Sequence, residues 1–215
     1  DFSFIITNPN NPDMMIFRYG RLQPFLKSQQ SKQLWQSLYG TGLFPDAPVM
    51  NDRTAGELLS LWGDCIDYQK KYGGSVFPAI NNLNLLSNQS YTGVFSAYGG
   101  AESIAIASCT SASGKSCQCV LSTAVFDPGT NYNGGVDTSY LILYETVGII
   151  VPEGTSSEDI QSMLNCAASV TFTEDYIKKS NAASDAQLAS VKEQLSRNRV
   201  IMDSLQQEWL DYIQN

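Results

Sequence analysis

The chain has 215 residues, of which 43% are apolar and 16% charged, with a formal net charge of -8 and no histidine. That length suffices for one domain with a full core. The acidic balance and scattered Lys and Arg argue against a nucleic-acid partner, and the lack of His removes Ser-His-Asp, Cys-His and His-bearing metal chemistry.

No stretch reaches the ~18–20 apolar residues of a membrane span, so no transmembrane segment is expected in this chain. The opening on Asp1 fits a processed export product or an excised piece. Residues 1–21 read as loop-rich, because Asn8 to Asp13 is a cluster of turn formers. Leu22 to Leu38 reads as a helix, with Leu22, Phe25, Leu26, Leu34, Trp35 and Leu38 on one face.

Thr54-Ala55-Gly56-Glu57 is a capping box. It opens an amphipathic helix through Leu58, Leu61, Trp62, Cys65 and Tyr72 that ends at Gly73-Gly74. Phe77 to Ser87 is expected to form a shorter helix. Asn88-Gln89-Ser90 is a glycosylation sequon, informative only in a eukaryotic host.

The period then changes. The runs 91–98, 103–108, 118–126 and 139–151 are β-branched or aromatic, and glycine or polar turns separate them. They predict an antiparallel meander, with Leu121, Thr123 and Val125 on one face of the third run. Thr155 to Glu158 and Thr171 to Glu174 are further capping boxes.

The tail predicts a long helix over 184–213. Leu188, Val191, Leu195, Asn198, Met202, Leu205, Trp209 and Tyr212 recur at alternating spacings of three and four, a heptad-like seam with one polar position. Such a seam packs on its own domain, on a second copy or on a partner helix. The expected fold class is therefore α+β: an antiparallel β-meander in the middle flanked by helices, with a long C-terminal amphipathic helix, in a single domain over 1–215.

Five cysteines are present: Cys65, Cys109, Cys117, Cys119 and Cys166. Cys109 and Cys117 flank a polar loop, so a disulfide there would staple a hairpin, with Cys119 as an alternative partner. Cys65 and Cys166 fall in predicted helices that a bridge could join. The one-residue gap in Cys117-Gln118-Cys119, without any His, is poor zinc spacing.

Chemical motifs are few. Gly114-Lys115-Ser116 resembles the end of a phosphate-binding loop, but Cys109 stands where that loop needs its first glycine. Asp127, Asn131, Asn133 and Asp137 make an oxygen-rich loop without full calcium spacing. Glu57, Asp64 and Asp67 share a helix, and nothing singles out a catalytic pair. Lys70-Lys71 and Lys178-Lys179 read as helix-end charges.

No catalytic residue, cofactor or metal site is expected. The leading functional expectation is a non-enzymatic assembly or scaffold component of an oxidising, extracytoplasmic compartment, such as part of an envelope-spanning secretion or conjugation apparatus. Its partner would be protein, or itself through the C-terminal seam. The alternatives are a carbohydrate- or peptide-binding module using the 127–137 loop with Tyr132 and Tyr140, and a His-free carboxylate hydrolase.

Overall fold

The computed structural model describes residues 3–74, 76–168, 173–175, 178–179 and 182. The chain divides into two compact units, Asp1–Ala167 and Ala168–Asn215. The expected helix over 184–213, and with it Leu188, Val191, Leu195, Asn198, Met202, Leu205, Trp209 and Tyr212, lies outside the described residues. In the second unit the described residues 174, 175, 178, 179 and 182 are helical, and Lys178 stands 3.6 Å from Glu174.

The first unit is built on one antiparallel sheet. Strands β1 (Ser3–Asn8) and β2 (Asn11–Leu26) form a hairpin. Helices α1 (Gln29–Tyr39), α2 (Ala55–Ser60) and α3 (Trp62–Tyr72) follow. Then come β3 (Ile80–Tyr91), a short 3-10 turn at Phe95–Tyr98, β4 (Ala101–Ser111) and β5 (Ser116–Phe126). A small ribbon, β6 (Tyr132–Asn133) with β7 (Val136–Asp137), precedes β8 (Tyr140–Pro152) and α4 (Ser157–Ala168). The sheet order is β1-β2-β8-β5-β4-β3, so the last strand inserts between the N-terminal hairpin and the β3–β5 meander.

This corrects the expected architecture. Among the described residues the protein is mostly antiparallel sheet with short helices, not a central meander flanked by helices. The residues expected as loop and as the start of a helix, 3–26, are two strands. Their turn formers make the tight link between Asn8 and Asn11. The expected Phe77–Ser87 helix is instead mostly the edge strand β3, and the expected strand over 91–98 is a turn. The strands expected at 103–108, 118–126 and 139–151 are present as β4, β5 and β8.

Alternation along the strands sets the core. Ala105, Ala107 and Cys109 on β4, with Cys117, Cys119, Leu121 and Val125 on β5, turn one buried face toward the helical layer. There they meet Phe17 and Tyr19 of β2, Leu141, Leu143 and Ile150 of β8, and Leu58, Leu59, Trp62 and Cys65 of α2 and α3. Trp62 donates its indole N–H to the Pro78 carbonyl at 3.0 Å, which satisfies the one polar atom of an otherwise apolar ring. A second cluster under α1 joins Leu26, Ala47 and Val49 with Trp35, Phe44 and Tyr140.

The Thr54 half of the capping box forms as expected, and the Glu57 side chain reaches upstream of the cap residue. The Thr54 hydroxyl accepts from the Glu57 amide at 3.2 Å. The Glu57 carboxylate accepts from the amides of Asn51, Asp52 and Arg53 at 2.6, 2.6 and 3.1 Å. One side chain thus ties down the whole approach to α2. The single expected helix is broken at Leu61 into α2 and α3 and stops at Gly73, which adopts a positive φ of 77°.

Candidate functional site

Strand β3 is one edge of the sheet and bonds β4 on one side. Along its other side no backbone group has a partner among the described residues. Such an edge is a template for another strand, and proteins usually blunt it with charge, proline or bulges. Here the charge is missing: no residue from Tyr72 to Ala101 is charged, although the whole chain carries -8. Two register shifts, around Asn82 (φ 50°) and Leu86, are its only interruptions.

Around this edge apolar groups face water. Leu85 and Leu86 are 48% and 55% exposed. Ile104 and Ile106 on β4 are also exposed, opposite Gln89 and Ser87. Tyr91, Val94 and Tyr98 continue the exposed set past the strand end. Sequence reasoning missed this surface because it read 77–87 as a helix. The uncharged run was visible and could have drawn attention to it.

The sequon residue Asn88 is structurally engaged. Its side chain accepts from the Gly56 amide at 3.2 Å and donates to the Thr54 hydroxyl at 3.1 Å, pinning α2 to the edge strand. Gly56 is required there, since a Cβ would stand 2.7 Å from Asn88 Cγ. The same amide nitrogen is the atom that a glycan would take.

The oxygen-rich loop is neutralised from within. Lys27, at the end of β2, reaches Asp127 at 2.5 Å, Asp137 at 3.4 Å and the Gly129 carbonyl at 2.6 Å. Arg53 adds a contact to Asp127 at 3.0 Å. Burial pushes the Asp137 carboxyl up, but the Ser139 hydroxyl and amide, the Asn131 amide and Lys27 outweigh it and hold it at about 2. These oxygens are committed to protein cations. Asn131 lines a cleft of about 420 Å³ with Trp35, Phe44, Gly129, Thr138 and Tyr140. Trp35 and Phe44 stack there at 5.0 Å, and Phe44 meets Tyr140 at 5.3 Å. Tyr132 is 67% exposed and does not line it.

No known protein family, curated protein or solved structure matches this chain.

The remaining motifs resolve into structure. Lys115 pairs with Asp13 at 2.9 Å, and Ser113 donates to the same carboxylate at 2.7 Å. Strand β5 follows directly, where a phosphate-binding loop needs a helix. Glu57 is spent on backbone amides, Asp67 pairs with Lys70 at 3.0 Å, and Asp64 is exposed. Among the described residues no group of three or more Cys, Asp and Glu is gathered as a metal site would require, and no helix is long and apolar enough to cross a membrane.

None of the five cysteines is bridged. Cys65, on α3, is buried in the core, whereas Cys166 is exposed on α4. Cys109 and Cys117 are direct cross-strand partners, and Cys119 is paired with Ala107 on the same buried face. Burial pushes the Cys109 thiol up to about 11 and the Cys65 and Cys119 thiols up to about 12.

Proposed function

We propose that the chain is a non-enzymatic assembly component that associates through the β3 edge, adding the β3 strand of a second copy to extend the sheet. The observation that carries this is the unpartnered edge strand set in a surface that lacks charge from Tyr72 to Ala101. Two chains of net charge -8 repel each other over most of their surfaces. The uncharged edge is where they approach without that cost. Exposed Leu85, Leu86, Ile104 and Ile106 then supply apolar area to bury.

Work outside the cytoplasm, as in a secretion or conjugation apparatus, remains part of this reading. The cross-strand placement of Cys109 and Cys117 supports that setting, because disulfides persist in oxidising compartments. Size-exclusion chromatography with light scattering tests the assembly. The expected result is a concentration-dependent dimer that Leu86→Lys converts to monomer, with helix and strand content unchanged by circular dichroism. A wild-type monomer at all concentrations overturns the proposal.

One observation favours a second reading, a binding module for carbohydrate or peptide. The cleft beside the 128–131 loop is walled by Trp35, Phe44 and Tyr140, which suits stacking against a sugar ring. A glycan array probed with the wild-type chain and with Tyr140→Ala distinguishes it. Binding that the variant loses supports the cleft, and a blank array removes it.

A further inference from the structure

The three buried thiols of β4 and β5 are not equivalent, and the register separates them. Cys109 faces Cys117 directly across the antiparallel pair. Directly opposite Cα atoms lie roughly 4.5–5.5 Å apart, inside the roughly 4.4–6.8 Å that a disulfide spans. Cys119 is two residues further along and is related to Cys109 only diagonally. Diagonal neighbours stand about 7–8 Å apart, too far to bridge without backbone movement.

The link between the two strands is also held in place. The Ser111 amide donates to the Lys115 carbonyl at 2.9 Å, and the Gly114 amide to the Ser111 carbonyl at 3.0 Å. Asp13 on β2 then grips the tip, accepting from Ser113 at 2.7 Å and pairing with Lys115 at 2.9 Å. The hairpin that a bridge would close is therefore already held together by independent contacts.

We propose that Cys109 and Cys117 are joined as a cross-strand disulfide in an oxidising compartment, while Cys119 and Cys65 remain thiols. The oxidant is a small-molecule or protein disulfide. One cysteine thiolate attacks it, expels one thiolate and leaves a mixed disulfide. The second cysteine thiolate then attacks the protein sulfur of that mixed disulfide and expels the other thiolate. The two cysteines lose two electrons and two protons, and the oxidant leaves as two thiols. Both sulfurs are buried in the folded sheet, and burial holds both thiols in the unreactive protonated form. The exchange therefore belongs to the folding stage, before the helical layer covers the sheet face.

Two samples test this: the full chain refolded from urea with glutathione disulfide, and the full chain exported to a bacterial periplasm, where no refolding is needed. Each is alkylated and digested with trypsin without reductant. Cleavage after Lys115 separates Cys109 from Cys117, so a bridge appears as residues 72–115 joined to 116–178. The expected result is that joined mass in at least one sample, kept in Cys119→Ala and lost in Cys117→Ala. Reduction is expected to lower the urea midpoint of the bridged protein. Free Cys109 in both samples, or a joined mass that survives Cys117→Ala through either Cys119 or Cys166, overturns the proposal.

Discussion

The ring of Phe17 fills the space that a side chain on Gly148 would need: a Cβ there would lie 2.0 Å from Phe17 Cζ. The two residues are direct partners across β2 and β8. Phe17 in turn touches Tyr19 and Trp62, at ring separations of 5.5 and 5.4 Å. The missing side chain on the central strand lets the helical layer seat on the sheet. Gly148→Ala is therefore expected to cost about 1–3 kcal/mol through overpacking. Urea unfolding of the single and double variants checks it. The penalty should shrink in a Phe17→Leu background, and equal penalties in both backgrounds would refute the contact.

The cap on α2 gives a second prediction. Thr54→Ala removes the acceptor for the Glu57 amide and a partner of Asn88. The expected loss is about 1 kcal/mol, the usual worth of a hydroxyl cap. Glu57→Ala strips an acceptor from three consecutive amides and is expected to cost about 1–2 kcal/mol. Shifts in the urea midpoint at unchanged slope measure both.

Acid sensitivity follows from two carboxylates. The Lys115 and Ser113 hydrogen bonds hold the Asp13 carboxyl at about 2, and Asp137 sits at about 2 as well. An unfolded aspartate titrates near about 3.9. In the interval between, the unfolded chain binds more protons than the folded one, so stability rises with pH. The stabilisation is complete above about pH 5 and drains away as the pH falls toward 2. Thermal melts from pH 7 to pH 2 should be level at first and then decline. Asp13→Asn should melt lower at pH 7 and decline less. A wild-type melt that stays level to pH 2 contradicts this account.

Thiol reactivity supplies a fourth test. In the fully reduced protein, Cys65, Cys109, Cys117 and Cys119 are buried and Cys166 is exposed. Titration with an aromatic disulfide reagent should show one fast cysteine, absent in Cys166→Ala, and four that react only on unfolding. Five equal rates would contradict the burial pattern.

The parts of the fold legible in the sequence share a local cause. β4 and most of β5 alternate between buried and less buried positions, β8 is a β-branched and apolar run bounded by turns, and Thr54 to Glu57 caps a helix at the expected place. The parts that were not legible depend on partners far along the chain. β1 and β2 flank a turn so short that its Asn and Pro residues read as a longer loop. β3 carries two bulges, which destroy its period of two and leave Ile80 and Leu83 at a helical spacing. The neutralising role of Lys27 was hidden because its partners Asp127 and Asp137 lie about a hundred residues away. The placement of the cysteines was half legible: the loop put Cys109 close to Cys117 or Cys119, and only the register shows that Cys117 is the one directly opposite.

The place of β8 has a consequence for how the protein is made. The ribosome delivers the N-terminal hairpin first and the three-strand meander next, yet neither borders the other until residues 140–152 arrive to fill the gap. Throughout that interval β2 and β5 each present a raw hydrogen-bonding flank to the cell. A chain cut short just before Tyr140 would hold two half-sheets with nothing to join them, a product suited to clumping and to chaperone capture.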